Sequence, residues 1–121
     1  MLVTAYIHML AKDYENAIIY LDECMELGTK VDYKLTVNSC YLNFADVYRA
    51  QKRYSEAIVT AEKSIELAKT TNSPNLLCID YYRKGQIYYD MGKLDSSLFY
   101  YQSAEELGLK QNINLRLLGI Y

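Results

Sequence analysis

Apolar residues recur along this chain at helical spacing. In residues 54–69 they are Tyr54, Ala57, Ile58, Ala61, Ile65 and Ala68, the i, i+3, i+4, i+7 pattern of one helix face. Residues 14–27 carry a similar stripe, Tyr14, Ala17, Ile18, Leu21, Cys24 and Met25. Five further segments are expected to be helical: residues 1–11, 33–50, 74–91, 94–107 and 113–121. Polar punctuation sets their ends. Asp13 and Ser73 are expected N-caps, and Pro74 suits the first helical position. Gly28, Gly92 and Gly108 are expected to end the helices before them, and Asn112 to cap the last one. No segment alternates apolar and polar residues, so no strand is expected. Links of two or three residues within pairs force antiparallel helix neighbours.

The pattern repeats. YENAIIYLDECMEL, YSEAIVTAEKSIEL and LDSSLFYYQSAEEL begin at Tyr14, Tyr54 and Leu94, and a fixed period of this size, about 40 residues, marks a repeat architecture. Aligned at that offset, the columns agree in kind: Ala5/Ala45/Gly85, His8/Tyr48/Tyr88, Ala17/Ala57/Ser97, Ile18/Ile58/Leu98 and Cys24/Ser64/Ala104. Leu27, Leu67 and Leu107 are identical. Small residues recur where helices must come close and large ones where a gap needs filling. The expected fold is all-α: antiparallel helix hairpins stacked as a right-handed α-solenoid of about seven helices. One domain is expected, with units at about 1–32, 33–73 and 74–111 and a partial fourth at 112–121.

Composition narrows function rather than naming it. The 121 residues are 51% hydrophobic, with one proline, five glycines and 14 tyrosines, which fits a nearly all-helical chain. Thirteen basic against 15 acidic residues give a net charge of −2, so no long-range field draws in nucleic acid or an anionic membrane, and neither is expected as a partner. No apolar run reaches the roughly 18 residues that span a bilayer. Cys24, Cys40 and Cys78 are odd in number and lack C-x-x-C spacing; reduced, buried thiols in a cytoplasmic protein are expected. His8 stands alone in a packing column, and no phosphate loop, H-E-x-x-H or G-x-S-x-G occurs. An enzyme is therefore not expected, nor a metal or cofactor. The tyrosine pairs 81–82, 88–89 and 100–101 read as packing with an exposed ring, and Glu62, Glu66 and Lys69 as a solvated face.

With these columns the chain resembles the tetratricopeptide repeat family. That family sets a small residue and, three positions on, an aromatic on its first helix; its second helix carries Ala, a large residue and a small one at fixed spacing. The middle unit offers Ala45, Tyr48, Ala57, Ala61 and Ser64, and the third Gly85, Tyr88, Ser97, Tyr101 and Ala104. The first offers Ala5, His8, Ala17, Leu21 and Cys24. Two departures stand out. The period is about 40 residues against about 34 in the family, and the late Pro is replaced by Thr29, Lys69 and Leu109. The longer period looks like variants in bacterial peptide-responsive regulators and in some cytoskeletal and signalling adaptors.

The resemblance implies a non-catalytic scaffold that presents a concave groove to a protein or peptide. Carried over by position, the groove residues are Tyr6, Asn43, Asp46, Arg49, Tyr82, Arg83, Gln86 and Tyr89. The alternative it implies is the sensory or dimerisation portion of a bacterial transcriptional or signalling regulator. One subtype clamps a C-terminal carboxylate; Asn43 and Arg83 match two of its five positions, while Leu2, Tyr6 and Ile79 fail the others. Chaperone tails are therefore not expected ligands. Leu2, Val3, Met9 and Leu10 at one end and Leu117, Leu118 and Ile120 at the other are apolar. Because solenoids need polar end caps, the expectation is a piece of a longer protein, or a homo-oligomer joined through these ends.

Overall fold

Helix formers dominate between the turn residues, and short links leave each helix little choice of partner but its neighbours. A computed structural model describes Thr4, Ala5, Ile7 and residues 13–31 and 33–114, and among these every regular element is an α-helix. The full helices are α1 (Tyr14–Lys30), α2 (Lys34–Ala50), α3 (Tyr54–Thr70), α4 (Pro74–Asp90) and α5 (Leu94–Lys110). Each has 17 residues. Three residues join each to the next, so the helices start at even intervals along the chain. Among the described residues the full helices number five, against about seven expected for the chain. Of the expected first helix only Thr4, Ala5 and Ile7 are described, and they are helical. Of the expected seventh, Ile113 and Asn114 are not helical and residues 115–121 lie outside the described residues.

One backbone device ends three of these helices. At the end of α2, the Arg53 N–H donates to the Tyr48 carbonyl at 2.8 Å and the Lys52 N–H to the Arg49 carbonyl at 3.0 Å. Lys93 to Tyr88 (2.9 Å) with Gly92 to Tyr89 (3.0 Å), and Ile113 to Gly108 (2.8 Å) with Asn112 to Leu109 (3.3 Å), repeat the pattern after α4 and α5. The residue between is left-handed each time: Lys52 at φ 61°, Gly92 at 76° and Asn112 at 54°. This Schellman arrangement satisfies carbonyls that the helix leaves open and turns the chain at once. Gly92 thus ends its helix as expected. Asn112 does not cap a seventh helix; it closes α5, since asparagine tolerates the left-handed region.

Gly28 and Gly108 correct the expected boundaries as well. They lie inside α1 and α5, which run on to Lys30 and Lys110. A methyl on Gly28 would come within 3.1 Å of the Cγ2 atoms of both Thr36 and Val37 on α2. The glycine is there for close helix approach rather than for a stop. Ala68 and Gly108 occupy the same register and are buried too. The identical leucines just before them are not the buried column: Leu27 is 51% exposed. At the helix starts, Asp13 and Ser73 hold the N-cap positions without a side-chain cap bond, and Pro74 opens α4.

The chain divides into two units, Met1–Thr60 and Ala61–Tyr121. In the first, α1 packs on α2, and Ala5, Ala17, Leu21, Phe44 and Val47 form the buried cluster, flanked by Tyr14, Ile18, Tyr20, Met25 and Tyr48. In the second, α4 packs on α5. There the Ser97 hydroxyl donates to the Gly85 carbonyl at 2.8 Å, the Cys78 thiol to the Ala104 carbonyl at 3.6 Å, and the rings of Tyr82 and Tyr101 lie 5.3 Å apart. The chain is thus an all-helical repeat built of consecutive packed pairs.

Volume is traded within these pairs. A methyl on Gly85 would sit 2.8 Å from Cδ1 and 2.9 Å from Cε1 of Tyr101. At the same two registers the preceding repeats carry Ala45 with Ala61, and Ala5 with Leu21. The largest second-helix side chain therefore faces the residue without a side chain. A polar trade accompanies it. Cys24 and Cys40 are buried hydrogen-bonding neighbours in the first unit. One repeat further on, the Ser64 hydroxyl donates to Oδ1 of the fully buried Asp80 at 2.8 Å.

Gly85→Ala should cost stability on urea unfolding, overpacking of about 1–3 kcal/mol outweighing about 1 kcal/mol of gained helix propensity. In a Tyr101→Ala background the same change should stabilise, and additive effects would refute the trade. Ser64→Ala should cost about 1–3 kcal/mol by taking a hydrogen bond from a buried carboxylate. The double change Ser64→Cys with Asp80→Cys, which imports the first unit's pair, should cost less than Ser64→Ala alone on the same measurement.

Candidate functional site

The first-helix faces expected to bind are carried by α2 and α4, each half-buried or buried over most of its length. Asn43, Asp46 and Arg49 lie half-buried along α2. The Asn43 amide donates back to the Ser39 carbonyl at 2.8 Å, which fixes it against its own helix. On α4, Tyr82, Arg83 and Gln86 are half-buried and Tyr89 is 61% exposed. Tyr82 is held by its contact with Tyr101, whereas Tyr89 at the helix end offers its ring to solvent. Within α4 these four share one strip by helical spacing. Tyr6 and His8 lie outside the described residues.

The three thiols are withdrawn into the core. Cys24, Cys40 and Cys78 are buried free thiols. Burial pushes the Cys40 thiol up to about 11, and the adjacent Cys24 adds to the effect; burial also raises Cys78. Both stay protonated at neutral pH, the opposite of an activated thiolate.

A second feature of unit two was not expected. A cavity of about 460 Å³ is lined by Glu62, Ile65, Glu66 and Lys69 of α3, Tyr81 and Lys84 of α4, and Phe99, Tyr100 and Ser103 of α5. None of the seven expected groove residues that are described lines it. Lys84 forms its floor. Its ammonium lies 3.3 Å from Oε1 of Glu62 and 4.6 Å from the centre of the Tyr100 ring. Tyr100 is in turn stacked on Tyr88 at 5.6 Å and meets Phe99 edge-on at 5.1 Å. Burial opposes the charge of Lys84; Tyr100 and then Glu62, by hydrogen bonding and charge, outweigh it and set its pKa above the usual lysine value. The signal for Lys84 was present in the register: one repeat earlier the same buried position holds Phe44. Glu62 and Glu66 were expected as solvated surface; Glu66 does pair with Lys69 there at 3.5 Å, but Glu62 turns to Lys84.

The tetratricopeptide repeat profile matches twice, at residues 4–70 and at 42–110. Tetratricopeptide repeat protein 29 of Macaca fascicularis is 28% identical over 101 residues, which is 80% of this chain and 20% of that protein. The chain therefore spans about a fifth of the length of that relative. No solved structure matches the chain at a significant level. Among the described residues no helix is long and apolar enough to cross a membrane. Paired helices, a small-residue register and two overlapping profile matches agree, and the chain belongs to the tetratricopeptide repeat family.

Proposed function

We propose that this chain is a non-catalytic scaffold that binds a protein or peptide, with recognition on the first helix of each repeat, the groove-lining helix of the family. Tetratricopeptide repeats in general mediate protein–protein interaction as scaffolds, and the macaque relative is named for the same repeats. The observation that supports the finer reading is the strip on α4. Arg83 and Gln86 lie half-buried on a helix whose buried positions are Cys78, Asp80, Lys84, Gly85 and Ile87, and Tyr89 stands open beside them. Arginine and tyrosine are the residue types that dominate binding energy at protein interfaces. Asn43, Asp46 and Arg49 on α2 occupy the corresponding first-helix face of the other unit.

What varies between repeats also fits this role. Asn43 and Asp46 stand at the register of Arg83 and Gln86, and Arg49 at that of Tyr89, so charge and shape change along the strip while the columns Ala17/Ala57/Ser97 and Gly28/Ala68/Gly108 stay small. Specificity then resides in the variable strip, and the packing columns hold it in place. Buried thiols that stay protonated support a non-catalytic reading, and three free thiols suit a reducing, cytoplasmic setting.

Arg83→Ala should weaken binding of an acidic peptide about tenfold, the loss of one charge-assisted hydrogen bond of about 1.5 kcal/mol. Helicity by circular dichroism should be unchanged. A random acidic peptide pool, read by fluorescence anisotropy against wild type and variant, makes the comparison. Equal binding by the two proteins would place recognition elsewhere.

A further inference from the structure

The cleft over Lys84 has the features of a binding site of its own. A lysine is not what this position needs for packing, because the preceding repeat buries Phe44 there. Its ammonium lies over the Tyr100 ring at 4.6 Å from the centre, a contact that an apolar side chain does not make. What lysine adds is a cation with 8% of its side chain exposed, at the floor of a cavity of about 460 Å³. That volume falls in the range of ligand sites.

The carboxylate partner of this cation sits at the solvent edge. The contact with Glu62 is 3.3 Å, longer than the roughly 2.7–2.9 Å of a tight ammonium–carboxylate pair. Glu62 is 54% exposed, so it can rotate into solvent, whereas Lys84 cannot leave the cleft. Lys69 at the rim is 3.5 Å from Glu66, and that carboxylate is 77% exposed. Covering the cleft strips water from the ammonium and raises its need for an anion. The walls ask for something else. Ile65, Tyr81, Tyr100 and the outward-facing Phe99 offer apolar and aromatic surface.

We propose that this cleft docks an acidic–apolar segment of a partner protein, a carboxylate pairing with Lys84 while the neighbouring apolar side chain packs on Phe99 and Tyr100. The charge of the floor selects the carboxylate, and the aromatic wall selects its neighbour. The site goes beyond the first-helix strip, since Tyr82, Arg83, Gln86 and Tyr89 take no part in it.

The test titrates N-acetyl-Glu-Phe-amide and N-acetyl-Gln-Phe-amide into the 121-residue chain, with amide shifts followed by NMR. The Glu peptide should produce saturable shifts at Ile65, Tyr81, Tyr100 and Ser103, with a Kd at least tenfold below that of the Gln peptide. Lys84→Met should abolish the preference, Lys84→Arg should keep it, and Lys110→Met, at an exposed lysine outside the cleft, should leave it unchanged; the absence of shifts at Arg83, Gln86 and Tyr89 separates this site from the strip on α4. Equal affinity for the two peptides overturns the proposal. So does tighter binding of N-acetyl-Arg-Phe-amide at the same residues. Shifts that follow protein dilution without peptide would assign the cleft to a second copy of the chain and overturn it too. Should Lys84→Met fail to fold, the Glu against Gln comparison on wild type still decides.

Discussion

Close approach of paired helices is the constraint on which the rest of this structure depends. Three-residue links leave no slack between helices of 17 residues, so the helices of a pair must lie against each other along their length. That is feasible only where side chains at the crossing are small. Ala17, Ala57 and Ser97 form one such column, and Gly28, Ala68 and Gly108 another, all of them buried. A methyl on Gly28 already crowds two side chains of α2 at 3.1 Å. The left-handed turns at Lys52, Gly92 and Asn112 turn the chain back sharply at the helix ends, which keeps the links this short.

Given that frame, the buried positions admit more variety than a single core would. Unit one fills a pair of registers with the thiols Cys24 and Cys40, and unit two with the hydroxyl of Ser64 and the carboxylate of Asp80. Phe44 gives way to Lys84, and the aromatic ring passes to Tyr100 on the adjacent helix where the preceding repeat has Thr60. In unit two the polar atoms brought in by these exchanges are paired, Asp80 with Ser64 and Lys84 with Glu62, as buried polar groups require. Both proposed recognition sites draw on positions that differ between repeats.

Helical periodicity and the regular offset between YENAIIYLDECMEL and its two counterparts made the helices and the family legible in the chain itself. Helix ends were less so. Glycine serves both as a stop and as a thin spot, and only three-dimensional contact tells Gly92 from Gly28. Identity between repeats also misled about burial: Leu27 recurs unchanged and is half exposed, while the varied column beside it is packed. The first-helix strip was readable by position, since helical spacing fixes which side chains share a face. The Lys84 cleft was not, because Glu62, Lys84 and Tyr100 come from three helices and meet only once those pack.

The most direct test of the small-residue constraint compares two adjacent residues of α1 by thermal unfolding. Gly28→Val should lower stability by more than about 2 kcal/mol through overpacking, and Leu27→Ala by less than about 1 kcal/mol because that side chain is already half in solvent. A Leu27→Ala variant that melts well below Gly28→Val would contradict the account.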